Sequence, residues 1–150
     1  IRIIDTYDVN SVTGDERAQL SVGVEWLVRG SYTYEEQHPP LARVASALIP
    51  HLAGLTSFEL RGWQEGDGDT LLIQDDQPVR NLALARAGIL PFFLLACVIV
   101  FLWTKEICGD IGGFSALFIF SFIPNVLAHS GIASTDMALC ATASSCVSIT

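Results

Sequence analysis

Charge is scarce in the second half of this 150-residue chain. Residues 1–80 hold thirteen of the sixteen acids and six of the eight bases, and only five charged residues follow them. These five are Arg86, Lys105, Glu106, Asp110 and Asp136. The net charge of −8 therefore belongs to the first half, and this surplus of acids argues against nucleic acid as a partner.

The chain also lacks the cysteine spacing of a metal site or a disulfide framework. Its four cysteines lie in or beside the apolar half, where they are expected to act as small packing residues. There is no internal repeat, no targeting segment and no initiating Met. Because the sequence also stops within an apolar run, we expect it to be an internal piece of a longer chain.

Long hydrophobic runs take the place of charge in residues 82–150. The run at 82–103 has 22 residues with one charge, and the run at 111–128 has 18 residues with none. About 20 apolar residues cross a bilayer core, so we predict transmembrane spans at 82–103, 111–128 and 137–150. Buried helices of a large soluble core are the alternative, but the charges between the first two runs are confined to the turn.

Residues 1–81 are more polar, and we predict that they form a loop with two amphipathic surface helices. Thr13 and Glu16 have the spacing of a capping box, which predicts a helix that Gly30 ends. A second helix is predicted from Pro39-Pro40, because proline is favoured in the first turn.

The apolar residues of this second helix recur on one face. They are Leu41, Val44, Ala45, Leu48, Ile49 and Leu52. Both helices are too short and too polar to span, so we expect them to lie along the membrane surface. In the Gly/Asp-rich segment that follows, residues 70–74 are expected to form a short strand.

Two predicted spans separate Asp15 from Asp136, which puts both carboxylates on the same face of the membrane. Residues 130–136 contain no Lys or Arg, which favours the outer face for them. Arg86 lies about one turn inside the same face, where a charge needs a partner. A phosphate suits its guanidinium, and an ion pair with an acid of the first loop is the alternative.

Four short motifs carry a family resemblance. They are Asp15-Glu16, His38-Pro39-Pro40-Leu41-Ala42, Ala85-Arg86-Ala87 and Thr135-Asp136-Met137-Ala138-Leu139. In this order, and with these spans between them, the chain resembles the amino-terminal part of GT-C membrane glycosyltransferases of family 39. That family comprises the protein O-mannosyltransferases and their bacterial relatives, and the lipid A aminoarabinose transferase is more distant.

The resemblance implies an all-α integral membrane fold in which residues 1–81 form a large extracytoplasmic loop and residues 82–150 the transmembrane region. A bacterial inner or plasma membrane is the expected location. A first span before Ile1 and further helices after Thr150 are expected. Ala138 replaces a frequent proline of the family, and Gln37 stands where some relatives carry an acid, which puts a metal role for that stretch in doubt.

The resemblance also implies inverting transfer of a sugar from a polyprenyl phosphate to an acceptor hydroxyl of a protein, lipid or glycan. Such a reaction needs a base for the acceptor proton and groups that hold the departing phosphate. Asp15 is the candidate base, although an acid in the first turn also suits the helix dipole. Glu16 is the second catalytic candidate, with capping as its structural alternative.

The substrate-binding candidates are His38, Arg86 and Asp136. His38 is expected to hold donor phosphate or orient the acceptor, or to cap a helix instead. Arg86 is expected to bind phosphate. Asp136 is expected to support the site and also to cap the next helix, with Ser134 and Thr135 as the other candidates for the cap. His129 and Arg43 are expected to be structural or interfacial.

The lipid-linked sugar is the donor substrate, no cofactor is firmly implied, and participation of a divalent cation stays open. Two other functions remain alternatives. One is a non-catalytic scaffold or lipid-binding subunit of an envelope complex. The other is a transporter fragment, which is disfavoured because the two visible spans lack ionisable residues beyond Arg86.

Overall fold

The computed structural model describes residues 3–7, 11–31, 40–55 and 70–147, and no strand occurs within these ranges. The principal helices are α1 (Gly14–Arg29), α2 (Pro40–Leu52), α3 (Pro78–Ala87), α4 (Leu90–Phe122), α5 (Pro124–Ser130) and α6 (Asp136–Val147). The all-α class predicted from the sequence is confirmed for these residues.

The predicted limits of α1 are confirmed. The Thr13 backbone N–H donates to Glu16 Oε2 at 3.0 Å, and the Glu16 N–H donates to Thr13 Oγ1 at 3.3 Å, which completes the capping box. The helix ends at Gly30, which has a left-handed φ of 67° and donates its N–H to the Trp26 carbonyl.

Small residues allow α2 to pack closely on its neighbours. A Cβ on Gly23 of α1 would overlap the Arg43 carbonyl oxygen, and one on Gly88 would overlap the Ala45 carbonyl oxygen. The buried face of α2 therefore consists mainly of small residues, among them Ala42, Ser46 and Ala47. Backbone-to-backbone contact of this kind fixes the positions of α1 and α3 relative to α2.

The large apolar side chains of α2 point away from this packing. Leu41 is 57% exposed and Leu52 is 77% exposed, with Leu48 and Ile49 between them also exposed. The predicted apolar face is thus on the outside, which is the orientation that a helix at a lipid boundary requires. Contact of this face with lipid stays a prediction.

The expected strand at residues 70–74 is wrong. Residues 70–72 are helical, and Gln74–Asp76 form a 3₁₀ turn. Leu71 and Leu72 are buried in the core, and the buried Asn81 amide donates to the Leu72 and Gln74 carbonyls at 3.0 and 2.9 Å. These contacts tie the segment to α3 and leave its backbone no sheet partner.

Helix α4 folds back on itself at Gly109, whose φ is 73° and ψ is −176°. The Phe93 and Phe120 rings stack with centroids 6.4 Å apart, whereas a straight helix would separate these residues by about 40 Å. Across the turn, Lys105 Nζ lies 2.8 Å from Asp110 Oδ1. The element is therefore a helical hairpin whose arms are residues 90–108 and 110–122.

Within the described residues, one helical stretch, Pro78–Phe122, is long and apolar enough to cross a membrane by length and composition. Only 22% of an apolar 18-residue window within this stretch is buried. Many large apolar side chains along the whole stretch are exposed. They include Leu94, Leu95, Val98, Leu102, Ile107, Ile111, Phe114, Phe118, Ile119 and Phe122. Helices of a soluble core would bury such residues.

The helix limits differ from the predicted spans. The run at 82–103 is divided between α3 and the first arm at Gly88, and the run at 111–128 is divided between the second arm and α5 at Ile123. The third run coincides with α6 as far as Val147, and its last three residues lie outside the described ranges. Insertion of these segments into a membrane stays a prediction.

Candidate functional site: a buried carboxylate–guanidinium pair

Arg86 of α3 forms a buried two-pronged ion pair with Glu16. Its Nε donates to Glu16 Oε1 at 2.7 Å and its Nη2 donates to Oε2 at 3.0 Å. Its Nη1 also donates to the Tyr7 carbonyl at 2.8 Å, and Nη2 donates to the Ser11 carbonyl at 3.2 Å. The guanidinium is 0% exposed. Of the two partners expected for Arg86, a phosphate or an acid of the first loop, the structure shows the acid.

Glu16 receives donors from three separate parts of the chain. Besides Arg86, the Ala133 backbone N–H donates to Oε1 at 3.0 Å, and the Thr13 N–H and hydroxyl donate to Oε2. This side chain is 1% exposed. One carboxylate thus joins α1, α3 and the segment before α6, in addition to capping its own helix.

These hydrogen bonds control the protonation of Glu16. Burial by itself raises the pKa of this carboxyl, but hydrogen bonds from Arg86, Ala133 and Thr13, together with the Arg86 charge, outweigh it and hold the pKa below the ordinary 4.5. Glu16 is therefore ionised at neutral pH and is a poor acceptor for a further proton.

Tyr7 lies beside this pair and was not singled out by the sequence. Its side chain is 5% exposed, and its hydroxyl has no hydrogen-bond partner among the described residues. Burial raises the pKa of Tyr7 to about 12, with the Arg86 charge partly opposing this. Tyr7 is neutral at physiological pH, so the Arg86 charge is balanced by Glu16.

The lowered pKa of Glu16 predicts an acid dependence of stability. A depressed folded-state pKa contributes stability above the ordinary value of 4.5 that the unfolded chain has, and that stability is lost as the pH falls through the folded-state value. We expect the melting temperature in detergent to fall steeply below about pH 4. Glu16→Gln should flatten this slope, whereas Glu106→Gln, at the exposed hairpin tip, should not. Identical slopes for wild type and Glu16→Gln would contradict the assignment.

Asp15 lies in the exposed part of the first turn of α1, directly before buried Glu16. Consecutive residues of an α-helix point about 100° apart, which follows from 3.6 residues per turn. The Asp15 carboxylate is therefore accessible while its neighbour is fixed in the interior. Accessibility is what a base for a substrate hydroxyl requires, although the role itself stays a prediction.

Asp136 is the first residue of α6 and is also exposed. Its Oδ2 accepts a hydrogen bond from the Ser134 hydroxyl at 3.2 Å and lies 3.0 Å from His129 Nδ1. The Thr135 carbonyl accepts the N–H of Leu139, so Thr135 holds the N-cap position among the three candidates. The Asp136 side chain is thus available to hold His129.

The buried pair joins two of the four motifs and the segment just before a third. Glu16 follows Asp15, Arg86 is the centre of the third motif, and Ala133 precedes Asp136 by three residues. The hairpin returns the chain to the side of α1. The remaining motif begins with His38 and Pro39, which lie outside the described residues.

Two residues outside the motifs also have defined contacts. Arg43 is 1% exposed and its Nε donates to Gln19 Oε1 at 2.7 Å, in keeping with a structural role. His129 was expected to be structural or interfacial, and its ring is 52% exposed and paired with Asp136. The seven-residue separation between His129 and Asp136 spans a loop, so no periodic signal in the sequence indicates the pair.

Among the described residues, no group of three or more His, Cys, Asp or Glu side chains is arranged to hold a metal ion. Residues 1–2, 8–10, 32–39, 56–69 and 148–150 are outside this search. No ligand set can therefore be named, and metal dependence stays open.

Comparison of the chain with protein-family models, with curated proteins and with solved structures found no match in any of the three.

Proposed function

We propose that this chain is part of a membrane glycosyltransferase that moves a sugar from a polyprenyl phosphate to an acceptor hydroxyl on the extracytoplasmic face. The observation that best supports the proposal is the buried contact of Glu16 with Arg86 and Ala133. It joins the motifs at Asp15-Glu16 and Ala85-Arg86-Ala87 to the segment that leads into Asp136. These are separated by 70 and 117 residues from Glu16, so their convergence is not a local effect.

In this proposal Asp15 is the general base. The acceptor oxygen attacks the anomeric carbon while Asp15 takes the hydroxyl proton, and the bond from that carbon to the phosphate oxygen breaks. The bonding electrons leave with the lipid phosphate, and attack from the opposite side inverts the anomeric centre. The exposed position of Asp15 supports this role, because both acceptor and donor must reach it.

Glu16 is better suited to positioning than to proton transfer. Its carboxylate already accepts hydrogen bonds from Arg86, Ala133 and Thr13, and its pKa is held low. A group that must accept a proton during the reaction works best with a pKa near the working pH. Glu16 therefore fixes the first turn of α1, and through it the position of Asp15.

The outward apolar surfaces support a membrane location for the proposed enzyme. The hairpin arms expose phenylalanine, leucine and isoleucine side chains, and α2 exposes Leu41 and Leu52. Exposed apolar patches of this extent mark contact with lipid or with further protein helices. The polar tip at Lys105 and Asp110 lies at the opposite end of the hairpin from Asp136.

A non-catalytic lipid-binding subunit is the second candidate, and the same exposed apolar surfaces favour it. The two functions differ in one measurable respect. A scaffold binds lipid without consuming it, whereas a glycosyltransferase releases polyprenyl phosphate as it forms a glycosylated acceptor.

The test is sugar transfer by the full-length protein in membranes. Radiolabelled polyprenyl-phosphate sugars are supplied with peptide, lipid and glycan acceptors, and nucleotide sugars with the same label serve as the control donors. We expect label to appear in one acceptor class from the lipid-linked donor alone. Absence of transfer with every donor and acceptor would contradict the proposal and favour the scaffold.

A further inference from the structure

We infer that His129 binds the phosphate of the lipid donor and that Asp136 holds its imidazole ring for this purpose. This inference rests on the proposed function. It starts from Arg86, which the sequence made the leading candidate for phosphate binding.

Arg86 is not accessible to a phosphate in this structure. Its three guanidinium nitrogens donate to Glu16, Tyr7 and Ser11, and the side chain is 0% exposed. A phosphate at Arg86 would have to displace Glu16, which would leave a buried carboxylate beside a second anion. The departing phosphate therefore needs another hydrogen-bond donor or cation near Asp15 and Asp136.

His129 is placed to supply one. It lies in the last turn of α5, where the helix dipole favours a positive charge, and its Nδ1 is 3.0 Å from Asp136 Oδ2. With Nδ1 held by Asp136, Nε2 is the ring nitrogen that can meet a phosphate, and a charge-assisted N–H bond from it to phosphate would be among the strong ones.

The ring is both anchored and accessible. The Ser134 hydroxyl donates to the same Asp136 oxygen at 3.2 Å, which restricts the carboxylate as well. The side chains of His129 and Asp136 are 52% and 60% exposed. An anchored, half-exposed imidazole differs in this way from a histidine that merely fills space in a core.

His129 and Lys105, an exposed cation of the hairpin, lie at different ends of the hairpin. Lys105 is paired with Asp110 at the hairpin tip, roughly 22 Å along the first arm from Leu90. His129 instead belongs to the segment whose Ala133 contacts Glu16 next to Asp15. It therefore shares the end of the hairpin with the proposed base.

The experiment measures binding of two lipids by the full-length protein in nanodiscs. Polyprenyl phosphate and the polyprenol of equal chain length differ only in the phosphate. We expect wild type to prefer the phosphate lipid. His129→Ala should weaken binding of polyprenyl phosphate about tenfold, the equivalent of one lost hydrogen bond to a charged group, and leave polyprenol binding unchanged.

Three further variants sharpen the result. His129→Lys, which places a cation at this position, should retain part of the preference, and Asp136→Asn should reduce it because the ring loses its anchor. His51→Ala, at the other histidine of the described residues, is the control and should bind both lipids as wild type does.

An unchanged preference in His129→Ala would overturn the inference, as would an equal loss of binding for both lipids. If wild type transfers sugar while His129→Ala keeps its phosphate preference, the inference fails and the proposed function stands. If wild type neither prefers the phosphate lipid nor transfers sugar, both fail.

Discussion

Replacing Arg86 with methionine is expected to lower the free energy of unfolding by about 3–5 kcal/mol, because Glu16 is then left as an uncompensated buried charge. Glu16 is 1% exposed and would retain only the Thr13 and Ala133 donors. Desolvation of the carboxylate would no longer be offset by the guanidinium. The Tyr7 and Ser11 carbonyls would also lose their donor.

Chemical denaturation of the protein in detergent, followed by tryptophan fluorescence, measures this effect. Arg80→Met is the matched control, since Arg80 lies on the exposed side of the same helix and should change stability by at most about 0.5 kcal/mol. The double variant Glu16→Gln with Arg86→Met should recover part of the loss, because no charge remains buried. Wild-type stability in Arg86→Met alone would show that Glu16 is not buried with Arg86 as its main partner.

Replacing Asp15 with asparagine should reduce sugar transfer by about 10²–10⁴-fold, the range expected when a general base is removed. Asparagine has nearly the size of aspartate and is well tolerated at a helix start, so the fold should be unaffected. The Asp15 side chain is exposed, whereas the buried contacts nearby belong to Glu16.

Initial rates of transfer from the radiolabelled lipid donor measure the loss, and the melting temperature reports folding. Asp110→Asn, at the far end of the hairpin, should transfer sugar at the wild-type rate. Undiminished transfer by Asp15→Asn would remove this residue from the mechanism. A lowered melting temperature would assign the loss to folding instead of to chemistry.

Local capping signals in the sequence predicted both ends of α1. The Thr13–Glu16 spacing and Gly30 gave the limits of α1, because capping depends on residues within one turn of each other. The apolar runs gave the hairpin, because the polar turn between them falls at the reversal at Gly109.

The partners of Glu16 could not be predicted in the same way. The sequence indicated that Arg86 needed either a phosphate or an acid, but every acid of the first loop was a candidate. The choice of Glu16 depends on how α1, α2 and α3 pack, and this depends on backbone approach at Gly23 and Gly88. No spacing rule encodes such an approach.

The expected strand at residues 70–74 failed for a related reason. A short apolar run bounded by turn residues fits a strand or a buried helical turn equally well, and periodicity cannot separate them. The contacts of Asn81 with the Leu72 and Gln74 carbonyls decide the outcome, and these arise only when α3 is in place.

The hydrogen bond from Ala133 to Glu16 closes a loop of 117 residues and has a consequence for biogenesis. During synthesis the ribosome must release α1, both arms of the hairpin and α5 before this bond can form. Until then Glu16 has Arg86 as its long-range partner. The Glu16 cluster is thus completed only after the hairpin and α5 have emerged, and a nascent protein that stalls within the hairpin lacks the hydrogen bond from Ala133 to this carboxylate.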